Sequence, residues 1–425
     1  MKKIFYWSPF LSNVATIGNV LNSAYSLNKY GKNSFKTYIL DVLGEWSNRK
    51  KDLLEKNINY IKLGKLSINL PISGFIKSRI LSMFLFVLKI FPLYFLLKRE
   101  KPDYLIIHLL TSIPLVLLLF FNFETRFILR ISGLPQLNFL RKFLWKTISK
   151  KISLVTCPSF ETMDYIKKSK IFDENKIIVL HDPIINNSLI FKKKNDPNIN
   201  SKSFKKDYFL SIGRLTKQKN HKLLIDLFLH LKKSGKDFFL YILGEGEEEQ
   251  FLRKKILRLN LQDRVFLLGF KKNIYPYIHS SRAIISPSLW EDPGAVMVEA
   301  AFCNRIVLSS NCKNGPKEFL MNNKAGYLFE NNDLDSLVKV FNQLIMDSPE
   351  QIYKKKVLAK INSKKYTIFN HYLTLRNLLV WKKIWYQTID VYVLFVVDKL
   401  IVVVLLRSSC PIIFWEFIWV STIQI

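Results

Sequence analysis

Short apolar runs recur along the chain, each leading through a loop into a longer stretch with helical spacing. "KIFYW" at residues 3–7 opens the series. The segment after it carries Val20, Ala24 and Leu27 at helical intervals, with Gly31 suited to the stop. "DYLIIHLL", "RFILRIS" and "SLVTCPS" repeat the strand pattern. "CPSFETMDYIKK" predicts a helix with Ser159 as N-cap, Thr162 and Met163 in its first turns, and lysines at its close. Strands alternating with helices imply a parallel sheet covered on both faces. Residues 192–207, "KKKNDPNINSKSFKKD", are polar and read as a connector. The alternation then restarts with "YFLSIG" and runs through "FFLYILGEG", "VFLLGF", "AIISPS", a helix from about Gly294, and "RIVLSS". The pattern predicts an α/β chain with two Rossmann-like domains, over 1–190 and 208–361, joined by a linker at 191–207. Helices over 362–387 are expected to return to the first domain.

Two apolar regions stand apart. "ILSMFLFVLKIFPLYFLL", residues 80–97, is long, but Lys89 and Pro92 interrupt it. It reads either as a helix lying in a membrane interface or as an ordinary buried helix. The tail over 388–425 is β-branched and aromatic, with Asp398-Lys399 in its middle. A charge pair at that position is costly for a spanning helix, which leaves an anchor and an unpacked extension both open.

Composition narrows the partners. The net charge is +32, from 65 Lys and Arg against 33 Asp and Glu, which favours polyanionic partners. The abundance of Lys, Asn, Ile and Phe equally fits a drift toward a few residue types. Cys157, Cys303, Cys312 and Cys410 are far apart and show no metal-ligand spacing, which fits a reducing cytosolic compartment. The apolar run after Lys2-Lys3 ends at Ser8-Pro9, too short for a secretory signal.

Candidate chemistry concentrates in "SPSLWEDPGAVMVEAAFCNR", residues 287–306. Pro293-Gly294 predicts a tight turn and a helix start with Pro at the opening position. The leading amides of that helix, at Gly294 and Ala295, would form an anion site at the end of a sheet. Glu291 on the loop and Glu299, about a turn and a half along the helix, can accept from two sets of ligand hydroxyls. Alternatively, Glu291 and Asp292 cap the helix and Glu299 is solvated on an outer face. "SIGRLTKQKNH" places Arg214 and Lys219 just after Gly213, where two cations can seat a diphosphate or form a solvated basic loop. Gly244 and Gly246 in "LGEGEEE" mark a further turn after a strand.

In that order and spacing, "GRLTKQKN", "LGEGEEE", "VFLLGF", "SPSLWEDPGAVMVEA" and "NCKNGPKEFL" resemble the C-terminal domain of glycosyltransferase family 4 enzymes. These have the GT-B fold, two Rossmann-like domains facing each other across a cleft, and their E-x7-E signature matches Glu291 to Glu299. The resemblance implies retaining transfer of a sugar from a nucleotide-sugar donor, with no cofactor and no metal. It assigns Glu291 to the hydroxyls of the transferred sugar, Glu299 to the ribose, and Arg214 with Lys219 to the leaving diphosphate. Gly213, Gly244, Gly294 and Ala295 belong to the same donor site. No DxD metal motif is present, and "DLD" at 333–335 reads as a helix cap. The first half departs from the family. "SNVATIGNV", with Asn13 and Thr16, stands where many members carry a Gly-Gly pair, and "RISGLP" offers Arg130 and Ser132 before Gly133 instead of a histidine. His108 ends a strand facing the same cleft, in a structural or a substrate-contacting role.

The acceptor is expected to be a glycan or a lipid-linked phosphate. Arg141, Lys142, Lys146, Lys150 and Lys151 interleave with Phe143, Leu144, Trp145 and Ile148, which suits an anionic membrane surface or an ordinary wet helix face. The expected setting is therefore the cytoplasm, peripherally on the inner face of the plasma membrane, in surface polysaccharide synthesis. A GT-B epimerase or phosphorylase is the alternative enzyme class. A nucleic-acid-binding protein is more remote, because no finger, helix-turn-helix or RNP-like pattern is present and the E-x7-E acids oppose a phosphate backbone.

Overall fold

The computed structural model describes residues 1–10, 15–64, 75–194, 196, 204–205 and 207–380, and three strands beyond them. In the helix Phe75–Glu100, side chains are described from Leu88 onward. Asn13 and Cys410 lie outside the described residues, as do most of the predicted linker and the side chains of the tail from 388. Met1–Leu373 form one compact unit and Thr374–Ile425 a second. In the second, Gln387–Val396 pairs antiparallel with Lys399–Ser408, which pairs with Thr422–Gln424.

The first unit holds two parallel sheets. One comprises β1 (Lys2–Trp7), β2 (Phe35–Asp41), β3 (Asn59–Lys62), β4 (Tyr104–Ile107), β5 (Arg126–Arg130), β6 (Ile152–Cys157) and β7 (Ile177–Val179), in the order β3-β2-β1-β4-β5-β6-β7. The other comprises β8 (Tyr208–Ile212), β9 (Phe239–Leu243), β10 (Val265–Leu267), β11 (Ala283–Ser286), β12 (Ile306–Ser310) and β13 (Tyr327–Phe329), in the order β10-β9-β8-β11-β12-β13. In each sheet the strand order reverses once, between β1 and β4 and between β8 and β11. A doubly wound sheet opens a crevice at such a reversal, because neighbouring connections leave toward opposite faces.

The apolar runs follow from burial on both faces. Phe209 packs into one core with Leu240, Ile285 and Phe341, while its neighbours Tyr208 and Leu210 pack into another with Leu243, Ile284 and Val307. Strands covered on both sides therefore read as continuous apolar stretches. The sequence pattern missed β2, β3, β7 and β13. β7 and β13 have three residues each, too few to show a period, and β3 is an edge strand whose residues are mostly exposed.

The helix expected over 80–97 is present, as Phe75–Glu100, and it runs unbroken through Lys89 and Pro92. The Lys89 ammonium is buried and donates to Leu63 O at 2.6 Å, so its charge is met without leaving the helix. That helix is two-sided, burying Leu93, Leu96 and Leu97 and exposing Phe91 and Phe95. Gly31 ends its helix through close approach, since a Cβ there would lie 2.4 Å from Leu27 O. Among the described residues, no helix is long and apolar enough to cross a membrane.

The chain passes between the sheets twice, after β7 and again near 362–372. The two passages join where Ile185 N–H donates to Tyr366 O and Ile368 N–H to Ile185 O, both at 2.9 Å. On the second passage, His371 contacts Ser23 Oγ at 2.8 Å, and the rings of Phe369 (edge-on) and Tyr372 (tilted) pack against Tyr30, so this passage reaches the helix Ala15–Tyr30.

Candidate active site

The loops that follow β8, β9 and β10 are joined by their backbones. Gly213 N–H donates to Leu243 O at 3.0 Å, Leu215 to Glu245 O at 2.9 Å, and Gly244 to Gly269 O at 3.0 Å. Gly244 has φ +147°, and a Cβ on it would lie 1.9 Å from Gly213 O. Only glycine fits there, so Gly244 shapes the site by letting the β8 loop come down onto the β9 loop. Gly213 is covered in turn by the Lys219 side chain, whose Cγ and Cδ lie 3.2 Å from where a Cβ would stand.

Lys219 Nζ reaches Glu291 Oε1 at 2.6 Å, and the Ser288 hydroxyl donates to the same oxygen at 2.6 Å. Glu291 is buried. The loops after β8 and β11 are stitched beside this pair, with Leu289 N–H donating to Gln218 O at 2.8 Å and Gln218 Nε2 to Trp290 O at 2.9 Å. A cation and a carboxylate are thus locked together at the reversal point of the second sheet.

The helix Ala295–Phe302 starts beyond Gly294, which is its N-cap at φ 89°. Pro293 precedes the cap, so it does not occupy the expected opening position; the Asp292–Pro293 bond is cis. No side chain caps this helix, which removes the capping reading of Glu291 and Asp292. Asp292 Oδ1 instead accepts from Asn314 Nδ2 at 2.6 Å, and burial beside Asp182 raises its carboxyl to about 7. Glu299 is not on a solvated outer face either. It accepts from the Tyr275 hydroxyl at 2.8 Å, and burial raises its carboxyl to about 7.

Gly213, Lys219, Gly244, Glu291 and Gly294 therefore form one continuous contact set; a Cβ on Gly294 would stand 3.5 Å from Glu291 Cγ. Arg214 is exposed on the same loop, Ala295 is half-buried at the helix start, and Glu299 lies on that helix with Tyr275 as its partner. Asp333 caps the helix Leu334–Met346, accepting from Ser336 N–H, and Ser159 caps Phe160–Lys168. Among the described residues, no group of three or more His, Cys, Asp or Glu is placed to hold a metal ion. Sequence reasoning missed Ser288, Tyr275 and Asn314. Ser288 lay inside the stretch already singled out and Asn314 inside the quoted "NCKNGPKEFL", whereas no motif tied Tyr275 to the site.

In the first sheet, Trp7, Ile107, Leu129 and Val155 are in register, so Ser8, His108, Arg130 and Thr156 form the next row at the carboxyl ends. Arg130 is buried and bound to Asp182 Oδ1 and Leu180 O, both at 2.5 Å, which gives it a structural role. Ser8 Oγ, His108 Nε2 and Thr156 Oγ1 are buried without a hydrogen-bond partner among the described residues, as is Ser132 Oγ nearby. Burial, with Arg130 and His371 near, holds the His108 imidazole well below its usual range, hence neutral.

Residues 192–362 match the family model for glycosyl transferases group 1. An uncharacterised glycosyltransferase of Methanocaldococcus jannaschii is 40% identical over 112 residues, covering 26% of this chain and 28% of that one. The N-acetylgalactosamine-N,N'-diacetylbacillosaminyl-diphospho-undecaprenol 4-alpha-N-acetylgalactosaminyltransferase of Campylobacter jejuni is 27% identical over 249 residues, covering 56% and 66%. The chain thus spans less than two thirds of the length of these curated relatives. Anabaena HepE, solved in complex with UDP, superposes with a TM-score of 0.66 at 15% identity, covering 89% of this chain and 99% of that one. With its two parallel-sheet α/β domains, the chain has the GT-B fold.

Two stability predictions follow from the site. Gly244→Ala, forced against Gly213 O, is expected to cost roughly 2–4 kcal/mol in urea unfolding, and an unchanged midpoint would refute the close approach. For Glu299, the folded carboxyl keeps its proton up to about pH 7, while in the unfolded chain it ionises near the ordinary 4.5 of a glutamate. The unfolded state therefore gains from ionisation across that window, and stability falls as pH rises through it. Glu299→Gln removes this term. Its stability relative to wild type should improve between pH 4.5 and 8 by up to about 3 kcal/mol, and a constant difference would show that the carboxyl is not buried in solution.

Proposed function

We propose that the chain is a glycosyltransferase, moving a sugar from a nucleotide-sugar donor to a glycan or lipid-linked acceptor. The proposal includes the retaining, metal-free mode of family 4. The observation that carries it is the Lys219–Glu291 pair set over Gly213 at the β8/β11 reversal, with the helix Ala295–Phe302 starting beside it. When the bond between the anomeric carbon and the phosphate oxygen breaks, the nucleoside diphosphate leaves with added negative charge. Lys219, Arg214 and the leading amides of the helix are the groups that stabilise it. Glu291 orients sugar hydroxyls, and Glu299 exchanges its Tyr275 partner for ribose hydroxyls. The acceptor hydroxyl attacks from the first-sheet side and its proton passes to the departing phosphate oxygen.

The matched family model, relatives named as transferases acting on undecaprenol-linked sugars, and UDP in a protein of the same fold support this reading over an epimerase. The test is transfer from labelled UDP- and GDP-sugars to membrane lipid extract. Lys219→Met is expected to lower kcat by roughly 10²–10³ with its circular dichroism unchanged. Transfer within threefold of wild type would remove Lys219 from the reaction.

The setting rests on a different surface. The helix Phe139–Ile148 buries Trp145 and Ile148 but leaves Phe139 80%, Leu140 75% and Phe143 62% exposed, beside Arg141, Lys142 and Lys146. Exposed aromatic rings among cations fit an anionic bilayer, where rings enter the acyl boundary and ammonium groups meet headgroups. We place the protein peripherally on the cytoplasmic face of a membrane. Flotation with vesicles containing phosphatidylglycerol should carry the wild type, and replacement of Phe139, Leu140 and Phe143 by Ser should abolish it. Equal flotation of both proteins would rule out this face.

A further inference from the structure

Asn314 lies in the loop after β12, buried to 1% exposure, with φ 70°. Its side-chain oxygen accepts from Ser159 Oγ at 2.9 Å and Thr162 Oγ1 at 2.7 Å, both at the start of the helix Phe160–Lys168 in the first-sheet domain. Its backbone N–H donates to Glu161 Oε2 at 2.9 Å on the same helix. Its side-chain amide donates at 2.6 Å to Asp292, the residue next to Glu291. One amide thus joins a helix start in one domain to the turn that carries the donor-site carboxylate in the other.

Two neighbouring contacts repeat the link independently. Glu318 accepts from Phe160 N–H at 2.9 Å and Glu161 N–H at 3.2 Å, so a carboxylate of the second domain meets the positive end of a helix in the first. A Cβ on Gly133, in the loop after β5, would stand 3.0 Å from Asp292 Oδ2, so the first domain closes on that carboxyl without room for a side chain. These bonds form only while the domains are together. Opened apart, the Asn314 amide loses its partners in the first domain and the turn beyond Asp292 loses its brace.

We propose that Asn314 is a positioning residue that couples closure of the two domains to the geometry of the 291–294 turn, so that Asp292 and the turn beyond Glu291 are braced from the first domain only in the closed form. This rests on the donor-site reading above for its catalytic consequence, but not for the closure itself. A role confined to closure predicts a split: the donor, bound by the second domain alone, is retained, while turnover, which needs both domains, is lost.

The experiment uses the full chain and two variants. Asn314→Gly removes the side chain and tolerates the positive φ. Thr162→Val removes one of the bonds from the other domain and leaves the Ser159 cap in place. Small-angle scattering without ligand should show a larger radius of gyration for Asn314→Gly than for wild type, with Thr162→Val between them. UDP or GDP affinity and the donor KM should stay within threefold, while kcat for transfer falls at least tenfold. An unchanged radius in both variants overturns the proposal. So does a loss of nucleotide affinity as large as the loss in kcat, which would make Asn314 a local support of the donor loop. If the wild type binds no nucleoside diphosphate, the donor reading fails, and the ligand-free scattering still decides the closure.

Discussion

The contact between the Lys219 ammonium and the Glu291 carboxylate fixes how the second domain presents its loops. Burying either charge alone would cost several kcal/mol, so each needs the other, and both need Ser288 and the glycine loops to hold the geometry. The loops after β8 and β11 leave the sheet on opposite sides of the reversal point, and this ion pair with its flanking backbone bonds closes the gap between them. A pair of this kind is a poised arrangement. An anion offered to the ammonium and hydroxyls offered to the carboxylate can replace each charge's partner at once, so the site opens without stranding a charge.

The other carboxyls around the cleft follow a different rule. Asp292 and Glu299 are raised toward neutrality by burial and are each held by one neutral donor, Asn314 and Tyr275. Among the described residues neither has a cation in direct contact, so each keeps acceptor capacity that these residues leave unused. In the first domain, Ser8, His108 and Thr156 present polar atoms without a partner among the described residues, in one row at the carboxyl ends of the strands. Both sheets therefore carry unused hydrogen-bonding capacity at the carboxyl ends of strands that are themselves packed in apolar cores.

Much of this was legible before the structure. The doubly covered strands announced themselves as apolar runs, and of the residues singled out in the second domain the structure brings Gly213, Lys219, Gly244, Glu291 and Gly294 into one contact set. What spacing could not show was contact. Lys219 and Glu291 are 72 positions apart and read as separate ligand-binding groups, yet each is the other's partner in the folded chain. Asn314 meets Ser159 across 155 positions, a relation that only the packing of two domains creates. The N-cap at Gly294 was missed by one residue, because a Pro-Gly pair fits either order of turn and cap until the backbone is traced. Arg130 closes the strand run "RFILRIS", but its partner Asp182 follows β7, a strand the sequence pattern missed.

The double passage between the domains has a mechanical consequence. A single tether would let two bodies slide, twist and separate. Here two strands of chain lie side by side, fastened through Ile185 to Tyr366 and Ile368, with His371 pinned to the helix Ala15–Tyr30. A fastened ribbon bends more readily across its width than it shears along it, so the crossing favours rotation of one body on the other over sliding.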